Sequence, residues 1–256
     1  MVERSITLSV VSHRQNTLVN ALLQDLQCAC RDRVSVVLTE NVPDSVALSL
    51  AGLDFPVRVI RNRRTRGFAA NHNAAFRYCD TPYFCVCNPD VHLPADPFPP
   101  LLEALTNPAV GAAGPLVLTP DGRLEDSARP FPRPAILARK LLVHLTGRGR
   151  ENTDTRTTSE QSPDWIAGMF MVFRRETFAA VRGFDEGYHL YYEDVDLCAR
   201  LRLLGMQVVR VESSRIVHDA RRASHRNLRH ALWHIHSILR YLRSDTYARL
   251  RRRGLL

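Results

Sequence analysis

Residues 6–38 read ITLSVVSHRQNTLVNALLQDLQCACRDRVSVVL. Ile6–Ser12 is an apolar, β-branched run suited to a buried strand. Leu18, Val19, Leu22, Leu23 and Leu26 then return at helical spacing, and Val34–Leu38 is a second apolar run. Strand, helix and strand in this order make a β-α-β unit. The rhythm continues through Val57–Ile60 as a third strand, Ala69–Tyr78 as a helix and Tyr83–Cys87 as a fourth strand. Repeated units of this kind predict an α/β fold, a mostly parallel sheet covered by helices. Ligands of such sheets bind beyond the carboxyl ends of the strands. The polar residues directly after each strand are therefore the candidates for chemistry.

Those residues are Ser12 and His13, then Glu40 and Asn41, then Asn62 to Arg66, then Asn88-Pro89-Asp90. No G-x-G-x-x-G and no P-loop follows the first strand, which argues against a dinucleotide or ATPase site. The set suits a nucleotide held by separate polar contacts. Glu40 can accept from a base N–H, Ser12 or His13 can meet a ribose, and Arg64 or Arg66 a phosphate. Asp90, at the end of a buried strand, can bind Mg²⁺ or Mn²⁺ through oxygen, with a diphosphate completing the shell; an Asx-turn explains N-P-D equally well. Gly67, Phe68, Asn71 and Asn73 read either as a helix start or as amides facing a ligand. Pro94–Pro100 is expected to run extended.

The chain of 256 residues has room for one large domain or two small ones. No run approaches the roughly 20 apolar residues of a membrane span, and the N-terminus shows no signal-peptide pattern, so a cytoplasmic protein is expected. The six cysteines include two C-x-C pairs, not the C-x-x-C of zinc or redox sites. Cys85 and Cys87 fall on one side of a strand and read as buried thiols. From Arg215 onward there are eleven arginines against Asp219 and Asp245, an excess equal to the whole net charge of +9. A neutral body with a basic end suggests an anionic partner there: a phosphate, a lipid surface or a nucleic acid.

The second half turns on Asp164–Arg200, DWIAGMFMVFRRETFAAVRGFDEGYHLYYEDVDLCAR. Met169–Phe173 reads as a strand, Glu176–Val181 as a helical turn, and Gly183–Asp185 as a bend. Glu193, Asp194 and Asp196 open a helix whose buried face is Val195, Cys198, Leu201 and Leu204, with Gly205 as its stop. Acids in a first turn suit the helix dipole, and Asp196 can pair with Arg200 at i,i+4. Glu193 and Asp194 repel each other, and a carboxylate held so can act as a general base. Earlier, Val110–Leu118 reads as a strand broken at Gly114-Pro115 and Ile136–Leu145 as an apolar helix. Gly147–Ser162 reads as a loop that orders over substrate or merely connects. Later, Gln207–Val211 is a strand, and His218 follows where it returns to the region of Asp90. Asn227–Arg243 is an amphipathic helix with Leu228, Leu232, Ile235, Leu239 and Leu242 as one stripe. Arg229, Arg240, Arg243 and Trp233 fall on its other side. It reads as a membrane-interface helix or as one packed on the body with a solvated basic face.

In order along the chain, SVVSH, VVLTEN, RGFAANHNAA, FCVCNPDV, WIAGMFMVFRRETFAAVRGFDE, YHLYYEDVDLCARL and IVH resemble the family-2 inverting glycosyltransferases of GT-A fold. Within these the sequence looks most like the bacterial rhamnosyltransferases of O-antigen and other cell-surface polysaccharides. The resemblance implies a Rossmann-like mixed sheet over 1–222, with a nucleotide-sugar half, 1–118, and an acceptor and catalytic half, 119–222. Basic amphipathic helices follow over 223–256. It implies Asp194 as catalytic base with Glu193 beside it, and Asp90 and His218 toward a Mg²⁺ or Mn²⁺ ion. Donor contacts would come from Ser12, His13, Glu40, Asn62, Arg66, Gly67, Phe68, Asn71, Asn73, Asn88 and Asp90. Asn88 stands where many relatives carry Asp, and Glu40 replaces a more usual Asp. Trp165, Gly168 and Tyr192 fall on the acceptor side. The implied partners are dTDP-L-rhamnose, a lipid-linked saccharide and the inner face of the cell membrane, with no nucleic acid; a homodimer is also admitted. The rival readings are a transferase using a UDP- or GDP-linked sugar, a nucleotidyltransferase, and a non-catalytic basic module gripping nucleic acid or lipid. A nucleotidyltransferase would need a Gly/Lys/Arg-rich loop that Ser12–Asn16 lacks.

Overall fold

The computed structural model describes residues 4–134, 136, 163–219 and 228–256. The elements are β1 (Ile6–His13), α1 (Asn16–Ala29), β2 (Val34–Val42), β3 (Val57–Arg61), α2 (Phe68–Phe76), β4 (Tyr83–Cys87), β5 (Val91–His92), α3 (Phe98–Thr106) and β6 (Val110–Leu118). They continue with β7 (Ala128–Arg129), β8 (Trp165–Ile166), β9 (Phe170–Arg174), α4 (Arg175–Ala180), α5 (Glu193–Leu203), β10 (Gln207–His218), α6 (Leu228–Leu242) and α7 (Asp245–Arg252). Eight strands form one mixed sheet in the order β3-β2-β1-β4-β9-β6-β10-β5.

Strand direction brings the site together. β1, β2, β3 and β4 run parallel. β9 runs against both β4 and β6, so β6, and β10 parallel to it, point the same way as β4. The carboxyl ends at His13, Val42, Arg61, Cys87, Leu118 and His218 therefore share one edge. The start of β9 lies there too, with Phe170 opposite Cys87. The expected boundary at residue 118 falls inside this sheet, so both halves share its strands.

Alternation along each strand builds two cores. Cys85, Cys87, Leu22, Leu26, Phe98 and Leu101 pack on one face with α1 and α3. Phe84, Val86, Phe178, Phe184, Val195 and Leu201 pack on the other. All six cysteines are free, and burial pushes the Cys85 and Cys87 thiols far above their ordinary range, as expected of inert core residues. Tyr241, Tyr247 and Leu250 of the C-terminal helices lie in the second core.

Four sequence expectations are corrected. Pro97 to Pro100 do not run extended; they enter α3, with Pro99 and Pro100 in its first turn, where a missing N–H costs nothing. β6 is unbroken at Gly114-Pro115; the irregularity lies in β10, whose register slips between Val211, opposite Pro115, and Arg215. Leu204 is 56% exposed and leaves the buried face of α5 to Val195, Cys198 and Leu201. The stripe of α6 is turned outward: Leu232, Ile235 and Leu239 are 65%, 53% and 43% exposed, while Ser237 and Tyr241 face inward. Leu242 alone of the described stripe packs on the core, and Arg240, itself exposed, lies over the Tyr188 ring. The expected loop at 147–162, and the expected helix at 136–145 beyond its first residue, lie outside the described residues.

Candidate active site

The acid pair follows a sharply turned stretch of backbone. Tyr191 and Tyr192 both take left-handed φ values, 71° and 69°, and turn the loop into α5. Asp194 in the first turn accepts from the Gly168 amide through Oδ2 at 3.0 Å and from the Val195 amide through Oδ1 at 2.8 Å. Gly168 lies two residues before β9, and the next carbonyl, Met169, accepts from the Asn88 amide at 2.8 Å. Asp194 is thus tied through the β9 lead-in to the strand end that carries Asp90. The two acids belong to one edge of one sheet.

Burial raises Asp194 above the ordinary carboxylate range, while the Gly168 and Val195 amides and the charge of Arg129 pull it back. Glu193 is only 4% exposed, and its Oε2 has no hydrogen-bond partner among the described residues. Burial, then the charge of Asp194, pushes it well upward. Environments that separate two neighbouring carboxyls in this way favour Asp194 as the ionised member. Asp196 pairs with Arg200 at 2.8 Å as the i,i+4 spacing predicts.

The donor-side candidates divide. His13 is exposed at the end of β1; burial, Arg14, His189 and His230 lower its pKa. Glu40 is held by Arg61 at 2.7 Å and accepts from the Asn16 side-chain Nδ2 at 3.2 Å. Ser12 is fully buried, and its hydroxyl donates to Asn16 Oδ1 at 2.6 Å, so this atom anchors α1 instead of meeting a ribose. Asn71 is 1% exposed and accepts from Asn62 at 2.7 Å. Asn62 also donates to Asn41, which accepts the Arg66 amide at 2.8 Å. These three amides brace the loop that presents Arg66 and Gly67. Asn73 exchanges hydrogen bonds with the Phe184 backbone and so ties α2 to the bend at 183–185. Phe68 lies against Gly168, within 3.3 Å of where a Cβ there would stand.

At the far side of the edge, His218 Nε2 stands 3.4 Å from Asp90 Oδ1, and its Nδ1 is 2.8 Å from Glu125 Oε2. Asp90 Oδ1 is buried with no hydrogen-bond partner among the described residues. Burial would lower His218, but Asp90 and Glu125 outweigh it and raise it to about 9. Of the residues expected on the acceptor side, Trp165 donates to the Pro130 carbonyl and carries Arg129 over its ring. Tyr192 is buried, its hydroxyl pushed up to about 12 by burial and Asp194.

A model described as glycosyl transferase family 2 matches residues 19–179, more than half of the chain. The chain belongs to glycosyl transferase family 2. A second model, N-terminal domain of galactosyltransferase, matches residues 157–226 of this family-2 chain. It is 28% identical over 249 residues to "Rhamnosyltransferase WbbL" of Escherichia coli (strain K12), covering 91% of this chain and 90% of that one. It is 37% identical over 142 residues to "N-acetylglucosaminyl-diphospho-decaprenol L-rhamnosyltransferase" of Mycobacterium tuberculosis (strain ATCC 25618 / H37Rv). That match covers 52% of this chain and 45% of the mycobacterial one. Among solved structures, "Mannosyltransferase PcManGT from Pyrobaculum calidifontis in complex with GDP-Man and Mn2+" superposes with a TM-score of 0.60 at 18% identity. The superposition covers 93% of this chain and 65% of that one, and the shared architecture is the GT-A α/β fold.

Two side chains beside the candidate residues carry no signal in the sequence. Arg129 acts on Asp194 from β7, and Glu125 acts on His218 from the turn before it. Both sit in the stretch GRLEDSARP, which carries no periodicity and no motif.

Proposed function

We propose that this enzyme transfers L-rhamnose from dTDP-L-rhamnose to a lipid-linked saccharide, with inversion, during cell-surface polysaccharide assembly. The observation that carries the reaction is the attachment of Asp194 and Asp90 to one sheet edge through the Gly168–Met169–Asn88 contacts. Inversion is a single displacement: an acceptor hydroxyl attacks C1 opposite the departing nucleoside diphosphate. Base and leaving group must flank the sugar. Asp194 takes the hydroxyl proton while the Gly168 and Val195 amides hold its carboxylate in place. Trp165, Arg129 and Tyr192 border it on the acceptor side, and Arg66 and His13 border the donor.

The charge that gathers on the departing diphosphate is offset by a divalent cation when one is bound. Asp90 and His218 would hold it. The fit rests on the orphaned, buried Asp90 Oδ1 and the imidazole nitrogen converging on it. Among the described residues no group of three metal-ligating side chains forms. Two protein donors leave room for diphosphate and water, the habit of Mg²⁺ sites. Rhamnose as the sugar rests on the names of the two bacterial relatives alone.

Incubation with dTDP-L-rhamnose, Mg²⁺ or Mn²⁺ and a prenyl-diphosphate-linked sugar is expected to release dTDP and give a single product whose anomeric configuration is opposite to that of the donor. Release only from a UDP- or GDP-linked sugar would replace the donor and keep the reaction; no release from any of them would end the reading.

We further propose that α6 seats the enzyme on an anionic membrane. Among the described residues no helix is long and apolar enough to cross one. Leu232, Ile235 and Leu239 make an exposed apolar line, and Arg243, Arg249, Arg251 and Arg252 are exposed beside and beyond it. Apolar insertion flanked by arginine is the pattern of interfacial helices. Sedimentation with phosphatidylglycerol vesicles should weaken roughly tenfold for each of Leu232→Ser and Ile235→Ser, since half-exposed residues give up about 1.4 kcal/mol of transfer apiece. The unfolding midpoint should stay put. Equal binding of the double variant would remove α6 from the membrane.

A further inference from the structure

We propose that Glu125 is a positioning residue for the cation edge: its carboxylate fixes the His218 ring so that Nε2 faces Asp90. The inference rests on the reading of Asp90 and His218 as the pair that holds the cation. An imidazole has two nitrogens, and which one is free to bind is decided by the hydrogen bond the other makes. Here the partition is explicit. Nδ1 is 2.8 Å from Glu125 Oε2, and Nε2 is 3.4 Å from the buried Asp90 Oδ1. The ring is 8% exposed, so it has little freedom to turn over.

The backbone around Glu125 is built for this contact. After β6 the chain folds back on itself, with Leu124 bridged to Leu118. The Glu125 amide donates to the Val117 carbonyl at 2.9 Å. In the sheet, Leu118 is paired with Val217, the neighbour of His218. Thr119 closes the turn, its amide bonding the Arg123 carbonyl at 2.8 Å. Glu125 is thereby delivered beside a ring 93 residues away. A surface acid serving only solubility would need none of this.

The test uses the full chain. Mn²⁺ affinity is measured by electron paramagnetic resonance with dTDP present, for wild type, Glu125→Ala, Glu125→Gln, His218→Ala and the Glu125/His218 double variant. Glu125→Ala is expected to weaken Mn²⁺ about 10- to 100-fold, the usual cost of removing an outer-shell partner. Glu125→Gln should recover most of this, because its amide oxygen still accepts from Nδ1. With His218 already alanine, Glu125→Ala should have no further effect, since its action runs through that ring. Multiplying effects in the double variant would overturn the proposal and make Glu125 a ligand in its own right; so would an unchanged affinity in Glu125→Ala. Wild-type protein without saturable Mn²⁺ binding, or His218→Ala binding Mn²⁺ normally, would overturn the cation reading itself. Matched unfolding midpoints identify any variant that fails by misfolding, and Glu125→Gln then decides.

Discussion

Asp194→Asn is expected to slow transfer by about 10²–10⁴-fold, the range that general-base assistance supplies, with donor affinity unchanged. The substitution keeps the shape and leaves one oxygen for an amide at 168 or 195. It removes the site that takes the proton. Asp90 and His218 are untouched, so the donor should bind as before; a calorimetric titration with dTDP and Mn²⁺ checks this beside the rate of dTDP release. The pH profile adds a second readout. Burial raises Asp194, so it is protonated and idle at pH values where a free carboxylate, near 3.9, is already charged. The acid limb of kcat should therefore lie above that value. Arg129 favours the charged form, so Arg129→Ala should move the limb to higher pH. Full activity in Asp194→Asn, or a limb unmoved by Arg129→Ala, would take the base away from this residue.

Gly67→Ala should cost roughly 3 kcal/mol and lower the unfolding midpoint by about 6–12 °C, at the upper end for overpacked sites. Gly67 has φ −68° and ψ 166°, angles that alanine adopts freely, so the effect is steric alone. Its Cβ would stand 2.6 Å from the His189 carbonyl oxygen and 3.0 Å from the His189 Cα. That carbonyl accepts from the Phe68 amide at 3.0 Å, the bond that ties the donor loop to the segment entering α5. Pushing the two apart shifts the Phe68 ring from Gly168, the residue that holds Asp194. Displacement of about 1 Å at a reacting group can cost 10²-fold, so kcat should fall with stability. Gly187→Ala is the control. Its Cβ meets the guanidinium of Arg240, the far end of a flexible side chain, which can swing away at the cost of a partly exposed ion pair with Asp185 and its place over the Tyr188 ring, together about 1–2 kcal/mol. Thermal melts of both variants decide.

Local patterns carried much of this fold in the sequence. Period-2 and period-3.6 repeats are short-range, so β1, α1, β2 and β4 could be read directly, as could the acids opening α5. Proline misled at 97–100 because its locked φ serves extended chain and a first helical turn alike; the following LLEALT is what selects the helix. Helical spacing revealed the stripe on α6 but not its direction. That was set by Ser237 donating to the Leu190 carbonyl and by Tyr241 filling the core, both contacts with distant segments. The asparagines at 62, 71 and 73 looked alike as ligand contacts; only tertiary partners distinguish a loop brace from a donor contact. Glu125 had no local mark at all.

The bond between the Asn88 amide and the Met169 carbonyl holds the lead-in of β9 one strand spacing, about 4.8 Å, from the end of β4, so on the proposed reading the two walls of the cleft are joined by the sheet itself. Loop changes that spare Gly67 with its His189 contact, and the turn that delivers Glu125, can then alter what the pocket admits while leaving this tie in place. For an engineer, choice of cargo is open to redesign at loop positions outside those contacts.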